Sequence, residues 1–144
     1  MLRTAFACLL LASPLHAWDF TPVPVCTIEH ATDLAAMTVT YDPLQPQPYA
    51  ISVALSDQAW AGAPVFAIRF DGPNRLTITT NRHELSPSKT VLTVRDTGFD
   101  NVLNGLEFNL VATAVAGGVA VPIPLADAAP AVQAFRDCTK GGLT

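Results

Sequence analysis

The sequence predicts a mainly β domain: a small antiparallel β-sandwich or β-barrel with a C-terminal helix clasped by a disulfide, the alternative being an open α+β sheet. Three observations carry this. Short runs of alternating apolar and polar residues recur about eight times, at intervals close to those of sandwiches and barrels. Turn residues punctuate them. Near the C-terminus the pattern changes to helical spacing, and that stretch holds one of the two cysteines that remain once an N-terminal leader is set aside.

The leader is residues 1–17. Arg3 precedes an apolar run from Ala5 to Ala12, Pro14 breaks it, and Ala17 stands before Trp18 and Asp19. This is the pattern of a secretory signal peptide cleaved after Ala17, and the run falls far short of the ~20 residues that span a bilayer. Residues 18–144 then form a single β-rich domain, periplasmic or secreted, with no integral membrane segment. Loss of Arg3 leaves seven Lys and Arg against twelve Asp and Glu, so the net charge moves from −4 to −5. An acidic chain with no basic cluster lacks the counter-charge for phosphate contacts, and nucleic acid is excluded as a partner.

In an oxidising compartment Cys26 and Cys138 read as a disulfide joining the two ends of the domain. Trp18–Val25, with Pro22 and Pro24, is an extended entry. Cys26, Ile28 and His30 then share the inward face of a strand, His30 as a hydrogen-bonded core residue. Met37, Val39 and Tyr41 face inward from the next. Pro43, Pro46 and Pro48 make Asp42–Tyr49 a loop, after which Ile51, Val53 and Leu55 form a third strand.

The central hairpin lies in residues 64–80. Phe66, Ile68 and Phe70 alternate with Ala67 and Arg69, Asp71-Gly72-Pro73-Asn74 makes the turn, and Leu76 and Ile78 resume the alternation. Val91, Leu92 and Val94 mark a further strand. Thr97, three residues before Asp100, resembles a capping box opening a helix of one or two turns that Gly105 ends. Leu106, Phe108 and Leu110 are expected to return to a strand. Gly117-Gly118 is a turn, and Val119–Pro124, with prolines at alternate positions, belongs at a sheet edge. Asp127–Thr139 is helical, with Val132, Phe135 and Cys138 on one face and Gly141 at its end.

The chemistry the chain can hold is limited. Arg82, His83 and Glu84, then Arg95 and Asp96, then Asp100, Asn101 and Asn104 form its densest polar region. There His83 near carboxylates could act as a general base, and Ser86 or Ser88 could supply a hydroxyl. Without a nucleophile elbow, the plainer reading puts Arg82 and Arg95 in ion pairs across adjacent strands. No His-x-x-x-His, calcium loop or phosphate-binding loop is present, so neither a metal nor a nucleotide cofactor is expected. Trp60 and Arg69 join Arg82, His83, Arg95, Asp96 and Asn101 as the candidate binding residues. Trp60 is either a contact surface or a core aromatic, and Arg69 would meet an acidic head group only if it pointed inward, which period two argues against.

WDFTPVPVCTIEH, APVFAIRFDGP, LTVRDTGFDNVLNGLEFN and AAPAVQAFRDC together resemble a family of small, uncharacterised secreted proteins of Gram-negative bacteria. Some members are labelled as the helicase component of excinuclease ABC. An acidic exported chain of 144 residues without a Walker loop does not fit that label. The order of a Trp, an early Cys, short strands and a late apolar helix is similar, more distantly, to the invasion-associated locus B family. The resemblance implies export and transfers no activity. The expected function is a non-enzymatic module binding a protein or envelope component, through the loop Asp42–Tyr49, Trp60 or the edge Val119–Pro124. A carrier of a small apolar ligand is the alternative, and a hydrolase using His83 the third.

Overall fold

The computed structural model describes residues 18–141, so the leader expected over 1–17 lies outside the described residues. Ten strands and two helices follow in order: β1 (Asp19–Thr21), β2 (Cys26–Ala31), β3 (Ala35–Tyr41), β4 (Tyr49–Leu55), β5 (Phe66–Asp71), β6 (Leu76–Thr80), β7 (Glu84–Leu85), β8 (Val91–Asp96), α1 (Asp100–Phe108), β9 (Val111–Ala116), β10 (Val119–Pro124) and α2 (Ala128–Thr139). Two antiparallel sheets result. One runs β1-β2-β3-β4-β8-β7, the other β10-β9-β5-β6. Their apolar faces share one core, and the sheets do not close into a barrel, so the sandwich is the form adopted.

Alternation in the sequence becomes the two faces of each strand. Ala35, Met37 and Val39 of β3 and Ile51, Val53 and Leu55 of β4 are buried. The central hairpin pairs Ile68 with Ile78 and Phe70 with Leu76, and Gly72 takes φ 151° in its turn, a conformation glycine alone adopts easily. In β9 the inward residues are Ala112, Ala114 and Ala116. They lie between Phe70, Ile68 and Phe66 on one side and Ile123, Val121 and Val119 on the other. Small side chains in the middle strand leave room for large ones on its neighbours.

The helices gather at one end of the sandwich. Tyr49, at the start of β4, touches both Phe99 and Phe135. Arg136 of α2 ties the helices together, donating from Nε to Glu107 at 3.0 Å and from Nη2 to Asn104 at 2.7 Å. Cys138 is bonded to Cys26 with their Cα atoms 6.0 Å apart, as expected, and Val132 and Phe135 are fully buried on the same face. The opposite end is closed by the loop after β4. There Trp60, 1% exposed, donates from Nε1 to the Val53 carbonyl at 3.0 Å and meets the Phe66 ring edge-on.

Several expectations are corrected. The segment 106–110 is not a strand: α1 continues through Gly105 to Phe108, and the strand is β9, beginning at Val111. Of the three residues whose alternation suggested a strand, only Leu106 is buried, while Phe108 and Leu110 are 48% and 68% exposed. Gly105 does not stop the helix. It is the point where α1 lies on the Phe70 ring, and a Cβ there would sit 2.5 Å from two ring carbons. Glycine-to-alanine changes inside helices normally stabilise by about 1 kcal/mol. Gly105→Ala is expected to destabilise instead, by about 1–3 kcal/mol, because the ring must be displaced. Chemical denaturation of Gly105→Ala alone and with Phe70→Leu checks this, the second change restoring most of the loss.

The capping box is also absent. Phe99 occupies the N-cap of α1 without a side-chain bond, and Thr97 instead gives its N–H and hydroxyl to Asp96 Oδ1. Residues 19–21 of the extended entry pair with β2 as a strand. His30 is only half-buried at the margin of the core, stacked on Trp18 with ring centroids 5.4 Å apart.

Candidate functional site

The two long margins of the sandwich differ. At the margin formed by β1 and β10, Trp18 is buried and its Nε1 donates to the Pro124 carbonyl at 3.1 Å, linking the two sheets. The other margin is parted. There β6 is the last strand of its sheet, and β7 covers only Leu92 and Thr93 of β8, so Val94–Asp96 forms a free edge. Residues 81–83 cross from one sheet to the other and bridge part of the gap.

A cleft of about 370 Å³ fills what remains. Its floor is the core itself, where Ile51, Phe66 and Ile68 reach the opening. Ile78 forms one wall, Val94 the other, and Phe99 and Val102 close the end beside α1. Its rim carries Arg82, Arg95, Asp96 and Asn101. A second cleft of about 360 Å³ adjoins it, lined by Gln47, Arg82, His83, Glu84, Thr93 and Arg95. Arg82 and Arg95 belong to both.

Five of the residues singled out from the sequence therefore meet at this margin, and two do not. Trp60 is a core aromatic at the far end of the sandwich, with no surface to offer a partner. Arg69 points outward, its side chain 55% exposed, and donates from Nε to Asp71 Oδ2 at 2.9 Å, so it cannot greet a ligand inside. The expected ion pairs of Arg82 and Arg95 are not formed: among the described residues the ion pairs are Arg69–Asp71, Arg75–Asp71 and Arg136–Glu107.

His83 is held, and not by a serine. Its Nε2 lies 2.9 Å from the Ala63 carbonyl oxygen, which can only accept, so Nε2 carries the hydrogen. Its Nδ1 is buried without a partner, and its ring leans on Phe66. Ser86 Oγ accepts from the Val91 N–H, and Ser88 Oγ lies 2.7 Å from Thr90 Oγ1. Both hydroxyls serve the turn before β8, and no His–Ser pair is assembled.

The apolar half of the site was not singled out in the sequence. Ile51, Phe66, Ile68 and Ile78 were read as alternating strand residues, and the first three are buried and Ile78 half-buried, but alternation cannot say that the sheets part just there. The only local signal was the shortness of the segment around Glu84 and Leu85, too short to cover β8. Compared with known proteins, the chain matches no protein-family model, no curated protein and no solved structure.

Proposed function

We propose that this protein is an exported, non-enzymatic binding domain that carries a small ligand with an apolar body in the cleft between β6 and β8. The observation that carries the reading is the floor of that cleft: Ile51, Phe66 and Ile68 belong to the core and yet border an opening of ligand size. An apolar group placed there removes the same surface from water that a closed sandwich would bury. The disulfide and the resemblance to small secreted proteins favour an extracytoplasmic location, and no described helix is long and apolar enough to cross a membrane.

A partner protein added as a strand to β10 is the reading this geometry favours less. The ladder with β9 needs donors from Val119, Val121 and Ile123, which leaves Ala120, Pro122 and Pro124 on the free side. Two of those three have no N–H to give, so the edge is protected against strand addition.

Native mass spectrometry of protein purified from the periplasm tests the proposal. A bound species that leaves on denaturation is expected. Ile78→Trp, which fills the cleft from an edge strand, should abolish it while far-ultraviolet circular dichroism is unchanged. A bound mass that survives Ile78→Trp would place the ligand elsewhere and overturn the reading.

A further inference from the structure

Seven described residues are Lys or Arg. Arg69 and Arg75 share Asp71, and Arg136 holds Glu107. Of the four that form no ion pair among the described residues, Arg82 and Arg95 stand together on the boundary between the two clefts. Both are solvent-exposed, and with no described carboxylate in ion-pair distance their donor forks are free to take an anionic group. Asp96, whose Oδ1 accepts from the Thr97 N–H and hydroxyl, keeps its negative charge on the rim of the first cleft. Asp100 also lines the first cleft and Glu84 the second, so the opening carries charges of both signs.

The two clefts also differ in kind. The first has an apolar floor and walls, and the second is lined by polar side chains throughout. A ligand reaching across both therefore meets an apolar slot, then the arginine pair, then a polar chamber. That order matters. A carboxylate or a phosphate monoester ends the molecule at its charge and leaves the second cleft to water. A phosphodiester carries its charge in the middle, between an apolar chain and a polar group, and its two free oxygens suit the planar donor fork of arginine.

Resting on the reading of the first cleft as a ligand site, we propose that the ligand is a single-chain phosphodiester amphiphile of the lysophospholipid class. Its chain lies on Ile51, Phe66 and Ile68, its phosphodiester between Arg82 and Arg95, and its polar head beside Gln47, His83 and Thr93. The size of the first cleft, near the lower end for small-molecule sites, admits one chain and not two. His83, whose Nε2–H is held by the Ala63 carbonyl, is fixed in place against the second cleft.

The test is calorimetric titration of the mature protein at about 0.15 M salt, where surface attraction is already screened over roughly 8 Å. Three decyl probes are used below their micellar concentrations: decylphosphocholine, decyl phosphate and decyl glucoside. Decylphosphocholine should bind tightest. Arg82→Gln and Arg95→Gln should each weaken it about ten- to a hundredfold, the range for losing a charge-assisted hydrogen bond, and leave decyl glucoside unchanged.

If decyl phosphate binds as tightly as decylphosphocholine, the anion is terminal and the phosphodiester assignment falls. Equal binding of all three probes, indifferent to both arginine substitutions but lost in Ile78→Trp, would overturn the head-group assignment and leave the apolar cleft standing. Failure of every probe to bind would remove the cleft reading together with this one.

Discussion

Trp60→Ala is expected to lower the free energy of unfolding by about 3–5 kcal/mol, the cost of removing a fully buried large aromatic. Trp60 does more than fill space. The loop between β4 and β5 has no regular structure, and its position depends on a few anchors. Trp60 N–H donates to the Lys89 carbonyl at 2.8 Å, and the indole Nε1–H reaches back to Val53, so both bonds hold the loop to one sheet. The indole meets Phe66 of the other sheet, and Gly117, in the β9–β10 turn, packs its backbone close to Ala61. Truncation therefore opens the end of the sandwich. Trp60→Phe separates the two contributions: it keeps most of the packing, leaves the Val53 carbonyl without its indole donor, and should cost about 1–3 kcal/mol. Urea unfolding followed by far-ultraviolet circular dichroism checks both. A loss below about 1 kcal/mol in Trp60→Ala, the scale of an ordinary surface change, would mean that the loop is not needed to close the core.

How far the fold was legible follows from what each residue had to satisfy. Strands with one face in the core and one outside, such as β3 and β5, carry alternation strong enough to read directly. The pair Cys26–Cys138 was legible for a different reason, being the only pairing open to the described domain. The strand β9 was not legible. Paired on both sides and buried at Ala112, Thr113 and Ala114 in succession, it has no polar face, and its alanines have little strand preference of their own. The glycine read as its helical boundary was serving a tertiary contact, the close approach of α1 to Phe70, which no local pattern encodes.

The site divides in the same way. Its charged rim is contiguous in sequence, Arg82–His83 and Arg95–Asp96, and was legible as a polar cluster. Its apolar floor and one wall come from β4, β5 and β6, whose alternation marks an inward face without saying whether that face is covered. Coverage depends on strand order. The parted margin exists because β7 is two residues long and β6 ends its sheet, and both are properties of the whole topology.

Replacing both cysteines, Cys26→Ala with Cys138→Ala, is expected to remove about 2–5 kcal/mol of stability, the range for native disulfides, with about 4–5 kcal/mol from loop closure alone for a crosslink of this span. That is a large part of the roughly 5–15 kcal/mol of a typical domain. The domain should nonetheless remain folded at room temperature, because α2 is also held by Val132 and Phe135 in the core and by Arg136 on Glu107 and Asn104. If the staple acts through the unfolded chain, the double variant will show a lower denaturation midpoint and a larger slope, since its unfolded state expands further. The cleft gives an independent readout. Phe99, at the N-cap of α1, and Val102 close it, and α1 is held in turn by α2, so loosening of the native helices would weaken ligand binding as well as stability. A change in affinity below about threefold, equivalent to under about 1 kcal/mol, beside a stability loss of several kcal/mol assigns the disulfide's effect to the unfolded state. Comparable losses in both would show instead that the bond holds the native helices over the cleft. A stability loss below about 1 kcal/mol would sink the expectation itself.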